Sequence, residues 1–426
     1  MWPRLIASKI LKKRVGSNNF VADYPSDTET WIELPSLDQN FPSFNSDSCM
    51  VLDQEETQNY KVFVGTWNVG GVEPTDDLII DDWLETCNMS CDVYVCGFQE
   101  VVPLRAANVF GGENKKITMR WNSIIREALN KRNRSEEKCK DVKSTGDDDD
   151  ELGELPKYRC IISKQMVGIM ISVWIRSDLR SFIRNPSVSC VGCGLMGCLG
   201  NKGSVSVRFR LHETSFCFVC SHLASGGRGG DEKYRNSNAA EILSRTIFPK
   251  GPSLDLPRKI LDHDRVVWLG DLNYRISLPE YATRVLVDKG EWTALLENDQ
   301  LRTKLKDGQV FQGWREGNIE FAPTYKYCPN SDTYYGVFGE RKREKKRSPA
   351  WCDRIIWFGE GLKQILYSRG ELRLSDHRPV KAIFSTEVRV PRKLRDFGNF
   401  FYSERFDKTV THSLELHSTD DLFLLY

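Results

Sequence analysis

Two polar residues stand where an apolar run ends, and their types and spacing could support metal-assisted hydrolysis. The run covers residues 266–269, Gly270 ends it, and Asp271 and Asn273 follow with one residue between them. Residues two apart in an extended chain point to the same side, so both side chains can reach one reacting group. An acid and an amide at the end of a rigid strand suit such chemistry. An ordinary Asp/Asn turn after a strand is the alternative, and this stretch alone leaves it open.

Polar side chains also follow other apolar runs, namely Asn68, Glu100, His222 and the adjacent Asp376 and His377. Each has a simpler explanation when taken alone, since Asn68 could cap a turn, Glu100 could be a surface residue and His222 could lie in the core. Their repeated appearance at strand ends favours a shared site. Carboxylate and amide oxygens suit Mg²⁺, and no Cys/His cluster in the sequence offers a zinc alternative.

Strands and helices of the right length must position these residues. Alternating or continuous apolar patterns predict strands at 60–68, 93–98, 167–175, 204–211, 216–222, 266–271, 354–358 and 379–384. Helical spacing predicts helices at 77–86, 119–131 and 231–247, and two short helices within 278–305 broken at Gly290. Many strands with few helices between them indicate two packed sheets with helices outside, in one domain.

The composition is that of an ordinary globular protein, with 426 residues, of which 40% are hydrophobic and 28% charged. A net charge of +1 provides no global field, so any attraction to a polyanion must be local. The thirteen cysteines are an odd number without a repeated framework, which indicates a reducing compartment. We find no apolar stretch of transmembrane length and no secretory signal, so we expect no transmembrane segment.

Three segments differ in character from the predicted domain at 60–385. Residues 1–59 are a polar leader that we expect to be poorly ordered, and residues 386–426 form a tail. The highly charged run at 135–154 indicates a solvated acidic insertion and not a metal site, because a flexible acidic run has no fixed geometry.

A glycine-rich loop at 192–203 carries the apolar residues Leu195, Met196 and Leu199, where a polar loop would be usual. These side chains could fold back into the core. Alternatively they contact the acyl chains of a membrane, where burying apolar surface contributes roughly 25 cal/mol per Å² and would support weak, reversible docking. We predict peripheral membrane contact and keep the core as the alternative.

Eight motifs contain the candidate site residues and their neighbours. The two longest are WLGDLNYR at 268–275 and PAWCDRI at 349–355. The shorter ones are GTWN at 65–68, FQE at 98–100, GNKG at 200–203, SHL at 221–223, PTYKY at 323–327 and SDHRP at 375–379. These motifs resemble those of the inositol polyphosphate 5-phosphatases and occur in that family's order. The resemblance covers residues 60–385, and the leader, insertion and tail resemble those of plant members of type I.

The resemblance implies the four-layer α/β sandwich of the DNase I-like endonuclease/exonuclease/phosphatase fold. It also implies removal of the 5-phosphate from phosphatidylinositol 4,5-bisphosphate, related phosphoinositides or inositol 1,4,5-trisphosphate, with Mg²⁺ as cofactor. By the same resemblance, Glu100 is the principal metal ligand, Asn68 assists it, and Asp376 lies on the metal side.

The matching motifs further imply catalytic roles. His222 and Asn273 hold the scissile phosphate, Asp271 orients or deprotonates the attacking water, and Asp353 pairs with His377 as a carboxylate orients an imidazole in hydrolytic triads. Whether Asp271 or His377 accepts the proton is left open.

The motifs also place four residues beside the ring phosphates, namely Lys202, Tyr325, Lys326 and Arg347. An arginine suits a phosphate because its planar fork binds two oxygens. Of the basic run at 341–347 we expect only Arg347 to be functional, with a solvated loop or a nuclear-import patch as the alternative.

Two other functions share these features. One is a nuclease of the same fold, which the lack of a basic excess disfavours. The other is an inactive phosphoinositide-binding scaffold, which the intact set of site residues disfavours. We expect a cytoplasmic protein in phosphoinositide signalling with peripheral membrane association, and the basic run leaves a nuclear location open.

Overall fold

Two six-stranded β-sheets form the centre of the chain in a computed structural model. The structure describes residues 19–23, 56–86, 88–131, 156–194, 197–251, 256–336 and 347–391. Most of the leader, the acidic insertion, nearly all of the tail and most of the basic run therefore lie outside the described residues, as do Leu195 and Met196.

The two sheets have related topologies. The first contains β1 (Glu56–Asn68), β2 (Val93–Gln99), β3 (Tyr158–Met166), β4 (Ile169–Arg176), β11 (Leu362–Arg369) and β12 (Val380–Val390), in the order β11-β12-β1-β2-β4-β3. The second contains β5 (Ile183–Gly192), β6 (Gly203–Leu211), β7 (Thr214–His222), β8 (Arg265–Asp271), β9 (Arg315–Glu316) and β10 (Asp353–Phe358), in the order β5-β6-β7-β8-β10-β9. Each sheet holds one parallel pair near its centre, β1 with β2 and β7 with β8.

Helices cover the outer faces of both sheets. They are α1 (Asp81–Leu84), α2 (Ala106–Phe110), α3 (Lys115–Asn130), α4 (Glu232–Arg245), α5 (Glu280–Asp288), α6 (Trp292–Leu296) and α7 (Gln300–Asp307). α1 and α3 pack on the first sheet and α4 packs on the second. The predicted four-layer α/β sandwich is confirmed, and no helix among the described residues is long and apolar enough to cross a membrane.

The alternation along β1 shows how the sequence builds these layers. Val62 and Val64 point into the apolar core between the sheets, whereas Phe63 and Trp67 point outward to the helices. Because both faces of a central strand are covered, apolar residues fill nearly every position and little polar alternation remains.

Four strands were missed by the sequence patterns, namely β3, β5, β9 and β11. All four lie at the ends of their sheets, where the burial signal is weakest. In β3 the polar residues Lys164 and Gln165 interrupt the apolar pattern although both are buried. Lys164 pairs with Glu113 at 2.5 Å and Gln165 accepts a hydrogen bond from Thr118 at 2.8 Å, which offsets their desolvation.

Several predicted boundaries were wrong. The helix expected at 77–86 is limited to α1, and the strand expected from 167 begins at Ile169 because Val167 has a positive φ of 54° in a tight turn. The region 278–305 contains three helices, not two. Gly290 does separate the first two, and the side chain of Asp299 caps a third by accepting a hydrogen bond from Arg302 N.

The expectation of a poorly ordered leader is wrong for two short stretches. β1 begins at Glu56 and pairs with β12 as far as Val390, so the sheet extends beyond both predicted domain boundaries. Residues 19–23 lie along the free edge of β3, where Val21 exchanges two backbone hydrogen bonds with Ser163. An unpaired strand edge offers such bonds, which is why a polar segment docks there.

Candidate active site

The carboxyl ends of the two parallel strand pairs meet at one end of the sandwich, and each carries a predicted site residue. Asn68 ends β1, Glu100 follows β2, His222 ends β7 and Asp271 ends β8. Contacts cross between the sheets at this point, since Asn68 Nδ2 donates to Asp271 Oδ2 at 3.0 Å. Two sheets that each end in polar side chains therefore form one shared polar site.

The antiparallel neighbours bring the remaining residues to the same place. β10 begins at Asp353, which stands directly opposite Asp271 in the strand register. His377 lies just before β12, and its side chain is within 4.8 Å of the carboxylates of both aspartates. The structure thus unites residues from motifs that are far apart in the chain.

The backbone conformation at residues 270 and 273 positions Asp271 and Asn273 in the site. Gly270 has a φ of 147°, and a Cβ atom there would lie 2.0 Å from the Ser221 carbonyl oxygen of β7. Only glycine allows β8 to approach β7 so closely before Asp271. Asn273 has a φ of 58°, which asparagine tolerates better than most residues.

The Asp271 carboxylate is buried and held by three donors or cations. Oδ2 accepts from Asn68 Nδ2 and lies 3.2 Å from His222 Nε2, and Oδ1 accepts from the Asn273 backbone N–H at 3.1 Å. Burial opposes ionisation, but the positive charges of His222, His377 and Lys202 outweigh it and lower the pKa of Asp271. The group is therefore an ionised, preoriented acceptor.

His377 forms a buried ion pair that orients its ring. Its Nδ1 contacts Asp353 Oδ2 at 2.8 Å, and the same oxygen accepts from Thr324 Oγ1 at 2.7 Å. Burial alone would lower the pKa of His377, but Asp353 reverses this effect and raises the pKa to about 9. The imidazolium is thus favoured at neutral pH, with Nε2 left to face the site.

Lys202, which we predicted to bind a ring phosphate, lies directly beside His222. Its Nζ contacts His222 Nε2 directly. Burial lowers the pKa of Lys202 to about 8, against the opposing charges of Asp271 and Glu100. The amine therefore adds a positive charge beside the place where Asp271 and His222 meet.

The three predicted metal ligands supply only oxygen atoms. The Glu100 carboxylate is 29% exposed, and His222 Nε2 lies 3.8 Å from it. This separation exceeds hydrogen-bond length, so the Glu100 oxygens keep free lone pairs. Asn68 Oδ1 accepts from Gly70 N at 3.0 Å and retains a second lone pair, while Asp376 pairs with Lys326 at 3.0 Å. This donor set fits a hard divalent cation.

A second acidic group, formed by Asp271, Asp353 and His377, also has the compactness of a metal site. Asp353 and His377 are occupied by each other, and Asp271 already accepts from Asn68. We therefore interpret this group as the hydrolytic centre and the Glu100 side as the place for a cation.

The predicted ring-binding residues line one side of the site. Lys326 Nζ lies 5.1 Å from the Tyr335 ring centroid and 5.9 Å from that of Tyr325. The Arg347 side chain has no hydrogen-bond or ion-pair partner within the described part of the chain, while its carbonyl accepts from Arg284 at 3.3 Å. A backbone that is held, together with a guanidinium that none of the described residues binds, suits recognition of an external anion.

Sequence reasoning missed two residues of the site. Thr324 holds Asp353, and Arg275 contacts both Asn273 and the Tyr325 ring. Arg275 follows Asn273 by two positions in the first motif, so the alternation that paired Asp271 with Asn273 also pointed to it. Nothing in the sequence alone distinguishes the Thr324 hydroxyl from an ordinary buried threonine.

The predicted membrane contact is wrong for Leu199, which is 7% exposed and packs inward. Backbone hydrogen bonds close the loop, since Gly194 N donates to Leu199 O at 2.9 Å and Cys193 N donates to Lys202 O at 2.7 Å. Leu199 lines a small cavity together with Met166 and Gly200. Leu195 and Met196 lie outside the described residues, so their membrane contact stays a prediction.

Comparisons with known proteins identify the family to which the chain belongs. Residues 65–383 match the Endonuclease/Exonuclease/phosphatase family 2. The Arabidopsis thaliana type IV inositol polyphosphate 5-phosphatase 9 is 61% identical over 414 residues, covering 96% of this chain and 97% of the relative. The type I inositol polyphosphate 5-phosphatase 8 of the same organism is 44% identical over 418 residues, covering 91% of this chain and 86% of the relative.

A solved structure shares the fold and a moderate sequence identity. It is the inositol polyphosphate 5-phosphatase domain of SPsynaptojanin in complex with inositol (1,4)-bisphosphate and calcium ion. The two chains are 32% identical with a TM-score of 0.64, and the match covers 78% of this chain and 86% of the other.

Proposed function

This chain is an enzyme of the inositol polyphosphate 5-phosphatase family, within the endonuclease/exonuclease/phosphatase superfamily, and from this premise we propose its substrates and cofactor. It removes the 5-phosphate from phosphatidylinositol 4,5-bisphosphate and from inositol 1,4,5-trisphosphate in a Mg²⁺-dependent reaction. The observation that carries the proposal is the convergence of Asp271, His377 and Glu100 around His222 at one end of the sandwich.

The substrate class follows from the charges around the hydrolytic centre. Lys202, Lys326 and Arg347 provide positive charge on a chain whose net charge is only +1, so attraction to anions is concentrated at the site. The related synaptojanin domain holds inositol (1,4)-bisphosphate, the ring that remains when inositol 1,4,5-trisphosphate loses its 5-phosphate. Both observations support a ring with a phosphate beside the scissile one.

Glu100, Asn68 and Asp376 are the residues that we propose to hold Mg²⁺. Their oxygen atoms suit a small hard cation, and the related synaptojanin domain holds calcium, which also prefers oxygen ligands. When bound, the cation would reduce the repulsion between an anionic phosphate ester and the attacking oxygen.

We propose a separate role in hydrolysis for each side chain of the site. The ionised Asp271 accepts a hydrogen bond from the attacking water and orients it. Asn273, His222 and Lys202 donate to the phosphate oxygens, where negative charge increases in the transition state. The His377 imidazolium, oriented by Asp353, adds a fixed positive charge in a buried setting where such charges are most effective. We therefore assign the base to Asp271 and not to His377.

A phosphate-release assay with three substrates tests the proposal directly. The purified protein is incubated with inositol 1,4,5-trisphosphate, with vesicles containing phosphatidylinositol 4,5-bisphosphate, and with plasmid DNA, each with Mg²⁺ and with excess chelator. We expect Mg²⁺-dependent phosphate release from the first two and no cleavage of the plasmid. Cleavage of DNA would establish the nuclease alternative, and lipid binding without phosphate release would establish an inactive scaffold.

Removing Lys326 or Arg347 should discriminate between substrates. Lys326→Met and Arg347→Met should lower kcat/KM on substrates with a 4-phosphate by about 10- to 100-fold, because each loses a charge-assisted hydrogen bond. Substrates that lack the 4-phosphate should change by less than about threefold, since they have no partner for these cations. Lys289→Met, which removes an exposed lysine at the end of α5, is the control. Equal losses on both kinds of substrate would contradict the assignment.

The apolar loop should affect lipid and soluble substrates differently. We propose that Leu195 and Met196 contact the membrane during peripheral association of a cytoplasmic protein, with a nuclear pool as the alternative location. Replacing both by Ser should lower activity on vesicle-borne phosphatidylinositol 4,5-bisphosphate by about tenfold, because apolar surface no longer enters the bilayer. Activity on inositol 1,4,5-trisphosphate should stay nearly unchanged.

Leu199→Ser is the matched comparison, because this side chain is buried. It should lower the melting temperature and both activities together. If the Leu195/Met196 double variant behaves in the same way as Leu199→Ser, the whole loop belongs to the core and has no membrane role.

A further inference from the structure

Arg275 is a buried cation at the site that the catalytic roles above leave unexplained. Its side chain is almost fully buried, and its residue exposure is 9%. No carboxylate lies within ion-pair distance of its guanidinium among the described residues, so a structural salt bridge does not account for it. Instead, Nη2 donates to Asn273 Oδ1 at 2.7 Å, and Cζ lies 4.4 Å from the Tyr325 ring centroid.

The contact with Asn273 determines which end of its amide faces the substrate. A guanidinium can only donate hydrogen bonds, so the group that faces Arg275 must be the amide oxygen. The amide nitrogen then donates one hydrogen to the Leu223 carbonyl at 3.2 Å and keeps a second hydrogen for a ligand. The terminal torsion of asparagine is broad and roughly two-fold, so the amide orientation depends on its partners. Arg275 and the Leu223 carbonyl both oppose the flipped amide, and loss of Arg275 removes one of these two restraints.

The opposite orientation would harm the reaction. It would turn the carbonyl oxygen of Asn273 toward the phosphate, where it repels the anion instead of donating to it. The other face of Arg275 stacks on Tyr325, whose ring centroid lies 4.7 Å from that of His377. One guanidinium therefore touches the residue that holds the phosphate and the ring that packs against the catalytic histidine.

We propose that Arg275 is a positioning residue that fixes the Asn273 amide with its nitrogen toward the scissile phosphate and holds the Tyr325 ring against His377. The role rests on the 5-phosphatase activity of the chain. It differs from direct phosphate binding, because Arg275 acts through Asn273.

The test is a double-mutant cycle read in kcat and KM separately. Arg275→Met keeps the bulk of the side chain and removes the donor, and it should lower kcat by about 100-fold with little change in KM. In an Asn273→Ala background, adding Arg275→Met should cost less than about threefold, because the group that Arg275 orients is already absent. Arg208→Met removes another buried arginine, one bonded to Pro249 and Pro257 carbonyls, and its effect should be the same in both backgrounds.

Chemical rescue separates orientation from folding. Arg275→Ala leaves a space of guanidinium size, and adding guanidinium below denaturing concentrations should restore kcat at least tenfold. The same addition should leave Arg275→Ala/Asn273→Ala and Arg208→Ala unchanged.

Other outcomes would overturn the role. A full loss that persists in the Asn273→Ala background, or one that lies mainly in KM, would mean that Arg275 binds substrate directly. A loss without rescue that matches the fall in melting temperature would mean that it is only structural. If the wild-type protein releases no phosphate, the proposed function itself is contradicted. The kinetic experiment includes the wild type, so the two failures are distinguished.

Discussion

Glu100→Gln should lower phosphate release by roughly 10³-fold or more at saturating Mg²⁺ while leaving the fold intact. The substitution keeps the size and one oxygen of the side chain and removes the negative charge that we propose to bind the cation. The fold should survive because the Glu100 carboxylate makes no hydrogen bond to another described residue, and His222 Nε2 lies 3.8 Å from it. Melting temperature and phosphate release are measured on the same preparations.

The control for this change is Glu113→Gln, which neutralises an acid that pairs with Lys164 away from the hydrolytic residues. It should retain activity within about threefold, because the Glu113 carboxylate is partly exposed and Lys164 keeps its hydrogen bond to the Asn19 carbonyl. Binding of Mn²⁺, measured by electron paramagnetic resonance, should weaken in Glu100→Gln and not in Glu113→Gln. A Glu100→Gln enzyme within a few-fold of the wild type would remove Glu100 from the metal assignment.

Asp353→Asn and His377→Ala should each lower kcat by about 10²- to 10⁴-fold, and together they should cost little more than His377→Ala alone. Asp353 Oδ2 accepts from His377 Nδ1 at 2.8 Å, so this carboxylate acts on the reaction through the imidazole that it orients. An asparagine at position 353 can present a donor to Nδ1, which favours the other tautomer and removes the charge that stabilises the imidazolium.

The comparison variant is Asp264→Asn. Asp264 lies just before β8, at the end of that strand remote from the site, and its carboxylate accepts a hydrogen bond from Ser215 Oγ at 2.6 Å. Its effect should combine additively with His377→Ala, because the two residues share no partner. If Asp353→Asn and His377→Ala also combine to the full product of their single losses, the two residues do not act as a unit.

Much of the chemistry could be predicted from the sequence because motif residues follow their strands without interruption. Asn68, His222 and Asp271 are the last residues of β1, β7 and β8, and Glu100 directly follows Gln99 at the end of β2. A buried strand imposes an apolar run, and the first polar residues after it mark where the strand leaves the core. The family resemblance carried by these motifs is confirmed by the relatives.

Elements at the periphery could not be predicted in this way. β3, β5, β9 and β11 lie at sheet ends, where partial exposure weakens the apolar alternation. Residues 19–23 have no strand pattern of their own and are ordered by the free edge of β3. The inward turn of Leu199 depends on backbone hydrogen bonds that close its loop, and composition does not record these.

The sequence by itself determined the central strands, the polar residues at their ends and the family, because each of these depends on residues adjacent in the chain. Only the tertiary structure decided how the ends meet: Asn68 on Asp271, Asp353 on His377 and Arg275 on Asn273. Asn68 and Asp271 come from different sheets, and Asp353 and His377 likewise flank strands of opposite sheets, so these contacts depend on how the sheets pack. The Arg275 contact needs the left-handed turn at Asn273 and the burial that orients its guanidinium, which spacing along a chain does not specify.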